Sequence, residues 1–296
     1  MKKNYTASDT LLLPQYQQSA AFMERFLVAA HEEGAPIVRS PNSTKIKMVD
    51  GSELEADVLS YFSDGIDEFR KEFSSELLER ISCHELDLFC WTIAKEWFDG
   101  RRLRENGNPR RLKWSVYDYL SRVSGITNPA DFIQVRDSLS GVEPLISAEA
   151  VAAILTVNDQ MIYRHVEAWK QWHPNAKDLS SNDVFFRRGL ALKAPLDTSE
   201  AYREWDFINS YSIAFSAPEK FSQMMEGKDP AVVNGDMALF EGRILFFSPF
   251  IPGMDVGQLE IGIIPAESPL SVHYQGEHAG IMEYILDPPF FQTDRF

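Results

Sequence analysis

The segment AVAAILTVNDQMIYRHVEAWKQW, residues 150–172, decides the predicted architecture of the middle of this chain. Its apolar residues recur at helical spacing on both sides of Thr156-Val157-Asn158. Asn158 favours the start of a second helix, because an asparagine side chain can cap the first free N–H groups of a helix. The segment therefore predicts two short amphipathic helices that are hinged at residues 156–158.

The residue types of this segment suit two helices that cross closely. Ser147 can cap the first helix, and Ala152 is small enough to lie at the crossing point. The residues expected to fill the wedge or to face inward are apolar, namely Leu155, Val157, Ile162 and Val166. The positions expected to face outward on the second helix include Gln160, Tyr163, Arg164 and Lys170.

Residues 147–172 resemble the helix-turn-helix of bacterial, phage and plasmid DNA-binding proteins. The run IYRHVEAW, residues 162–169, is most similar to KfrA-type plasmid regulators, which carry a similar run ending in Trp. The chain departs from that family in having Thr156 where glycine is commonest in the turn, and in placing the motif centrally with no heptad run after it. The resemblance implies that the second helix enters the major groove of double-stranded DNA. The side chains that would contact DNA from this helix are Gln160, Tyr163, Arg164 and Lys170.

The charge of the chain is strongly acidic but unevenly distributed. The net charge is −15, with −8 over residues 1–100, +4 over 101–193 and −11 over 194–296. Because Lys and Arg make the phosphate contacts of DNA-binding proteins, the basic middle third fits such a role. The phosphate contacts are predicted in a basic loop at 101–113, from Arg101, Arg102, Arg110, Arg111 and Lys113. Further clamps could come from Lys177, Arg187, Arg188 and Lys193.

The remainder of the first half of the chain is predicted to be mainly helical. Helical spacing of apolar residues covers 17–33, 65–99, 114–124 and 129–139. The second of these segments is expected in two pieces that are broken near Ser74-Ser75. Asp50-Gly51 lies at the centre of an alternating pattern over 44–58, which predicts a β-hairpin.

From about residue 209 the periodicity becomes strand-like. The predicted strands are 209–216, 231–240, 243–250, 258–264, 270–275 and 280–286, with a turn at Glu241-Gly242. The sequence therefore predicts an α+β fold in three parts. These parts are a mostly helical acidic region at 1–143 with one hairpin and the basic loop, a helix-turn-helix at 144–193, and an acidic strand-rich domain at 194–296.

Two groups of residues could carry other chemistry. Cys83, His84 and Cys90 lack a second Cys/His pair at zinc-finger spacing, so we expect a buried helix face and no metal. The two cysteines are seven residues apart in a predicted helix, too far for a disulfide, and reduced thiols favour a cytoplasmic location. His273, Glu277, His278 and Glu283 could serve acid–base chemistry, or they could form a polar hairpin turn around Gly276 and Gly280.

The leading hypothesis is a cytoplasmic DNA-binding protein of bacterial, phage or mobile-element origin that binds double-stranded DNA without a cofactor. The sequence has no nucleophile elbow, phosphate loop or dinucleotide fingerprint, so no motif supports an enzyme. One alternative is a non-enzymatic interaction module, of inhibitor or immunity type, that acts through acidic faces. Another is a hydrolase-like enzyme with a His/Glu site near 273–283. The C-terminal domain could bind a protein partner or self-associate, and no apolar run is long enough to predict a membrane span.

Overall fold

The structure is a computed structural model that describes residues 51–97, 107–122, 143–172 and 184–288, apart from Trp205, Phe215, Glu267 and Ala279. Helices occupy the N-terminal and central parts, and a mixed sheet follows in the C-terminal part. The predicted α+β fold is therefore confirmed. The helices predicted at 17–33 and 129–139 and the first half of the predicted hairpin lie outside the described residues.

The helices follow amphipathic stripes in the sequence. Their bounds are α1 Gly51–Asp64, α2 Ile66–Leu78, α3 Cys83–Trp91, α4 Asn108–Arg122, α5 Ala148–Trp172 and α6 Ser216–Ser222. Helix α2 buries Phe69, Phe73 and Leu77, which are four residues apart and so lie on one face. Helix α3 begins with a capping box between Ser82 and Glu85, and it continues as a π-helical turn, Thr92–Glu96.

Three local predictions about these helices are wrong. Residues 51–58 are helical rather than half of a hairpin, because Val58 begins a buried stripe on α1 that outweighs the turn preference of Asp50-Gly51. The break predicted near Ser74-Ser75 occurs at 79–82, since the Ser74 hydroxyl donates to the Arg70 carbonyl and stays within the helix. Residues 108–113 of the predicted basic loop form the first turns of α4.

The central helix-turn-helix is also a wrong prediction, because residues 148–172 form one continuous helix, α5. Ser147 caps its start, as predicted, by accepting a hydrogen bond from the Ala150 N–H at 3.2 Å. Asn158 does not begin a new helix. Its side-chain Nδ2 donates to the Ile154 carbonyl at 3.0 Å and to the Leu245 carbonyl at 2.8 Å, so it ties an unbroken helix to the sheet.

One sheet contains the seven strands found among the described residues. Their bounds are β1 Phe185–Leu192, β2 Asn209–Ser212, β3 Asp229–Asp236, β4 Ile244–Phe247, β5 Glu260–Ile263, β6 Ser271–His278 and β7 Ile281–Asp287. Their order is β4-β5-β2-β1-β3-β7-β6, and neighbours are antiparallel except for the parallel pair β3 and β7.

The six strands predicted after residue 209 each have a counterpart in this sheet, and a turn at Glu241-Gly242 precedes β4 as predicted. The prediction missed β1, which contains Arg187 and Arg188 and lies between β2 and β3. The sheet therefore begins before residue 194, the predicted start of the strand-rich domain.

Aromatic residues join the helices to the sheet. Phe250 follows β4 in the 3₁₀ turn Ser248–Phe250 and is fully buried. Its ring centroid lies 6.4 Å from those of Phe62 on α1 and Phe73 on α2, and 5.1 Å from that of Phe247.

None of the helices in the described part of the chain is long and apolar enough to cross a membrane.

Helix α6 packs directly against β1 at a glycine. A Cβ atom on Gly189 would lie 1.9 Å from the Pro218 carbonyl oxygen, far inside van der Waals contact. The absence of a side chain at this position lets α6 approach the sheet closely. This approach brings Glu219 of α6 to the Arg187 side chain on β1.

Candidate active site

A row of polar side chains crosses the middle of the sheet. Arg187 on β1 pairs in register with Ser212 on β2 and with Asn234 on β3, and Ser212 pairs with Glu260 on β5. Residues that pair directly in neighbouring strands present their side chains on the same face. Because strands lie about 4.8 Å apart, the backbones of Arg187 and Glu260 are on the order of 10 Å apart. The row thus places a guanidinium group and a carboxyl group on one face of the sheet.

The Arg187 end of the row is a closed hydrogen-bond network. Arg187 is 1% exposed, and its Nε donates to Asn234 Oδ1 at 2.8 Å. Its Nη1 lies 3.4 Å from Glu219 Oε1, and its Nη2 lies 3.2 Å from Glu283 Oε1. The second oxygen of Glu283 accepts a hydrogen bond from Asn234 Nδ2 at 2.8 Å. One oxygen of Glu283 therefore contacts the buried cation directly, and the other holds Asn234, which also contacts it.

The Glu260 end of the row is open by comparison. Glu260 Oε1 accepts a hydrogen bond from the Ser210 hydroxyl at 2.6 Å and another from Trp97 Nε1 at 3.3 Å. No described residue donates a hydrogen bond to Glu260 Oε2. One carboxyl oxygen is thus fixed by two donors, while the other accepts no hydrogen bond from the described residues.

Burial raises the pKa of Glu260, and the hydrogen bonds from Ser210 and Trp97 partly oppose this rise. A carboxyl group in a poorly hydrated place costs free energy when it ionises, which is the cause of the shift. Catalytic carboxyl groups are tuned in the same direction, because a pKa nearer neutral allows a group to take up and release protons.

Backbone strain lies directly beside Glu260. Leu259 has φ of 45°, and it is the only non-glycine residue with positive φ in the described part of the chain. Its N–H donates to the Val256 carbonyl at 2.9 Å, and the neighbouring Gln258 carbonyl accepts from the Ser212 hydroxyl at 2.5 Å. Surroundings that hold a residue in a left-handed conformation tend to be functional sites. Here the residue with positive φ directly precedes Glu260, the first residue of β5.

Three of the residues predicted to enter a DNA groove have described side chains on α5, and these side chains differ in exposure and contacts. Gln160 is exposed, whereas Tyr163 is half-buried and burial raises the pKa of its hydroxyl to about 12. Arg164 Nη2 lies 2.8 Å from Glu72 Oε1 and 2.9 Å from Glu76 Oε1, both on α2. The positive charge expected at a phosphate is therefore held by carboxylates of the protein itself.

The described residues predicted to contact phosphates differ in their surroundings. Lys113 is buried and forms an ion pair with Asp206. Arg111 Nη2 donates to the Pro144 carbonyl at 3.2 Å. Arg110 is half-buried on α4. Three further predicted contacts lie outside the described residues, namely Arg101, Arg102 and the side chain of Lys170.

The His/Glu group predicted near the C-terminus is not gathered at one point. Glu277 pairs with Met282, so the side chain of the next residue, Glu283, lies on the other face of the sheet. Glu277 is exposed, while Glu283 contacts Arg187 as described. His273 Nε2 lies 3.4 Å from Asp287 Oδ2. The side chain of His278 lies outside the described residues.

The cysteine group on α3 differs from the predicted buried face. Cys83 and His84 are exposed, and they line an open groove of 600 Å³ between α2 and α3. Cys83 and Cys90 are free thiols, and burial raises the pKa of Cys90 to about 12. In the part of the chain that the structure describes, three His, Cys, Asp or Glu residues do not come together as metal ligands.

Comparison with known proteins gives limited guidance. No family model and no curated protein matches the chain. A weak likeness exists to Vis toxin, an ADP-ribosyltransferase from Vibrio splendidus, with 14% sequence identity, 71% of this chain and 85% of that chain covered, and a TM-score of 0.28. The structure of ADP-ribosyltransferase Vis in complex with M6 inhibitor gives 13% identity, coverage of 72% and 85%, and a TM-score of 0.27. TM-scores this low do not establish a shared fold.

The predicted DNA-binding function is wrong. The segment on which it depended is a single helix, and Arg164 and Lys113 are ion-paired within the protein. The hydrolase alternative fails at its predicted site, because Glu277 and Glu283 lie on opposite faces of the sheet. The non-enzymatic interaction module stays a prediction. No comparison bears on the resemblance of residues 147–172 to KfrA-type regulators, which stays a prediction.

Sequence reasoning missed Glu260, Ser210, Ser212 and Trp97 as site residues. Their contacts join positions 50 and 163 residues apart along the chain, so no local spacing reveals them. One signal was present in the sequence. Ser210 and Ser212 are two residues apart in β2, so their side chains lie on one face of that strand. Polar residues on one face of a central strand indicate that this face meets something other than core.

Proposed function

We propose that this protein is an enzyme that transfers a glycosyl group, and that Glu260 is its catalytic carboxylate. The observation that carries the proposal is the asymmetry of this group. Oε1 is fixed by Ser210 and Trp97, Oε2 accepts no hydrogen bond from a described residue, and Leu259 beside it is strained. Glu283 at the other end of the row differs, because both of its oxygens accept hydrogen bonds from described residues.

A single fixed carboxylate suits the chemistry of a glycosidic bond. When the bond from the anomeric carbon to the leaving group breaks, positive charge develops on the sugar as an oxocarbenium-like transition state. A carboxylate placed beside that charge stabilises it. A hydroxyl, amide or water then forms the new bond to the same carbon and gives up a proton. In this proposal Glu260 Oε2 accepts that proton, and the raised pKa of the group favours its uptake.

NAD⁺ is the first donor to test, because it contains an N-glycosidic bond with a good leaving group. ADP-ribosyl transfer, the activity of the weakly similar Vis toxin, is one reaction of this class. That likeness is too slight to support the proposal, which depends on the geometry of Glu260. The cytoplasmic location and the protein partner or self-association suggested by the sequence stay predictions.

The test compares the purified protein with Glu260→Gln, using NAD⁺ and a panel of nucleosides and sugar nucleotides. Release of the free base or nucleotide is followed by chromatography and mass spectrometry. We expect the variant to lose roughly 100-fold or more in rate, the typical contribution of an acid–base group, with its thermal unfolding midpoint retained. Glu277→Gln is the matched control, because Glu277 is an exposed glutamate of β6. Equal rates for parent and Glu260→Gln, or no turnover of any donor, would refute the proposal.

A further inference from the structure

We propose that Trp97 is a positioning residue for Glu260, so that the helical part of the chain completes a site otherwise built on the sheet. This inference rests on the proposed function and names a residue for it outside the strands. The contact is the hydrogen bond from Trp97 Nε1 to Glu260 Oε1, which joins residues 163 positions apart.

The π-helical turn sets the direction of the Trp97 side chain. Helix α3 widens at Thr92–Glu96, and the Trp97 N–H donates to the Thr92 carbonyl five residues earlier at 2.8 Å. The Thr92 hydroxyl donates to the Leu88 carbonyl at 2.6 Å where the widening begins. A π-turn inserts one residue relative to an α-helix, so the residues after it are rotated by about 100°. π-turns of this kind occur frequently at functional sites.

Packing holds the indole ring in place. Trp97 is 6% exposed, and its ring meets that of Phe246 edge to face at a centroid distance of 5.9 Å. Phe246 is itself confined, because a Cβ atom on Gly262 would lie 2.1 Å from its ring. Gly262 follows Glu260 by two residues on β5. The indole and the carboxylate that it contacts are therefore located by the same strand pair.

The two donors to Glu260 Oε1 come from different parts of the fold. Ser210 belongs to β2 of the sheet, and Trp97 belongs to the helical part. The influences on the pKa of Glu260 are burial and its hydrogen bonds from Ser210 and Trp97, and both donors are neutral. Neutral donors therefore orient the carboxyl group without neutralising it. Its second oxygen keeps a fixed direction towards a substrate.

The experiment uses Trp97→Phe, which keeps an aromatic ring and removes the indole N–H. With a donor that the parent turns over, we expect kcat to fall about tenfold, because a hydrogen bond to a charged group contributes roughly 1.5 kcal/mol. KM should change less than twofold, since the contact orients the carboxylate rather than the substrate. Trp91→Phe is the matched control, because Trp91 lies on α3 and is 59% exposed.

The second readout needs no substrate. The side-chain carboxyl carbons of ¹³C-glutamate-labelled protein are titrated by NMR, and Glu260→Gln identifies the signal of Glu260. Trp97→Phe and Ser210→Ala should each raise the pKa of Glu260, because each removes a hydrogen bond that favours the ionised form. Trp91→Phe should leave it unchanged. In the parent, the indole N–H signal of Trp97 should shift with the same midpoint, and this shift should vanish in Glu260→Gln.

The outcomes separate this inference from the proposed function. If the Trp97 indole signal does not follow the Glu260 titration in the parent, the positioning role is refuted, even where Trp97→Phe fails to fold. An unchanged Glu260 titration in folded Trp97→Phe refutes it as well. If the titrations behave as expected but no glycosyl donor is turned over, the positioning role stands and the proposed function fails.

Discussion

Asp159 on α5 shows how a single carboxyl group can make stability depend on pH. It accepts a hydrogen bond from the Gly242 N–H at the turn before β4. Burial raises its pKa from 3.8 to about 7, against the hydrogen bonds from Gly242 and Ile244. A group whose pKa is higher in the folded state binds protons more tightly there. The free energy of unfolding therefore decreases as the pH rises from about 4 to about 7. Above that range Asp159 is ionised in both states, so it causes no further decrease.

Asp159→Asn should remove this dependence, since the amide oxygen can still accept from Gly242 and cannot ionise. We expect the variant to be more stable than the parent by roughly 1–2 kcal/mol at pH 8, and nearly equal to it at pH 4. Urea unfolding at both pH values measures the difference. Asp255→Asn, in the loop before β5, serves as the control. If the free energies of unfolding of the parent and of Asp159→Asn change equally between pH 4 and pH 8, Asp159 is hydrated and its pKa is not raised.

Asn158 marks the limit of sequence reasoning at the scale of one residue. An asparagine after a β-branched pair is typical of a helix start, and the sequence offers no sign that its amide is needed elsewhere. The deciding contact is the hydrogen bond to the Leu245 carbonyl, 87 positions away. Thr156 acts in the same direction, because its hydroxyl donates to the Ala152 carbonyl and so remains compatible with a continuous helix.

At the scale of the elements, the close approach of α6 to β1 depends on Gly189. In Gly189→Ala the added Cβ would meet backbone atoms of Pro218, which a side-chain rotation cannot relieve. We expect a loss of roughly 1–3 kcal/mol in the free energy of unfolding. The displaced helix should also carry Glu219 away from Arg187. Gly257→Ala is the control, since its nearest neighbour would lie at an ordinary 3.4 Å. Equal stability of the two variants would contradict the tight packing.

The strands after residue 209 could be predicted because each is an apolar run between turn residues. Strand β1 could not be predicted, since two adjacent arginines are normally exposed to solvent. Burial of Arg187 becomes acceptable with Glu283 and Asn234, which belong to two other strands, and with Glu219 on α6. The site was hidden for the same reason, because Glu260 acquires its role from Ser210 and Trp97 and not from its neighbours in sequence.

At the scale of the whole molecule, Phe250 connects the helices with the sheet. Its ring contacts those of Phe62, Phe69 and Phe73 on the helices and that of Phe247 on β4. We expect Phe250→Ala to cost roughly 3–5 kcal/mol, the usual range for a buried phenylalanine. Because the ring belongs to both parts, circular dichroism and tryptophan fluorescence should report one common unfolding transition at a lower midpoint. Two separate transitions in the parent would mean that the helices and the sheet unfold independently.

The parallel pairing of β3 with β7 has a consequence for folding during synthesis on the ribosome. Arg187 leaves the exit tunnel well before Glu283, which follows it by 96 residues, and at about 5–20 residues per second this delay is roughly 5–20 s. During that interval β1 and β3 can pair, but the guanidinium lacks one of its two carboxylates and β3 lacks its second neighbour. The nascent chain cannot finish the centre of its sheet until β7 has been synthesised. A chain that stops before β7 therefore leaves one edge of β3 without its partner strand.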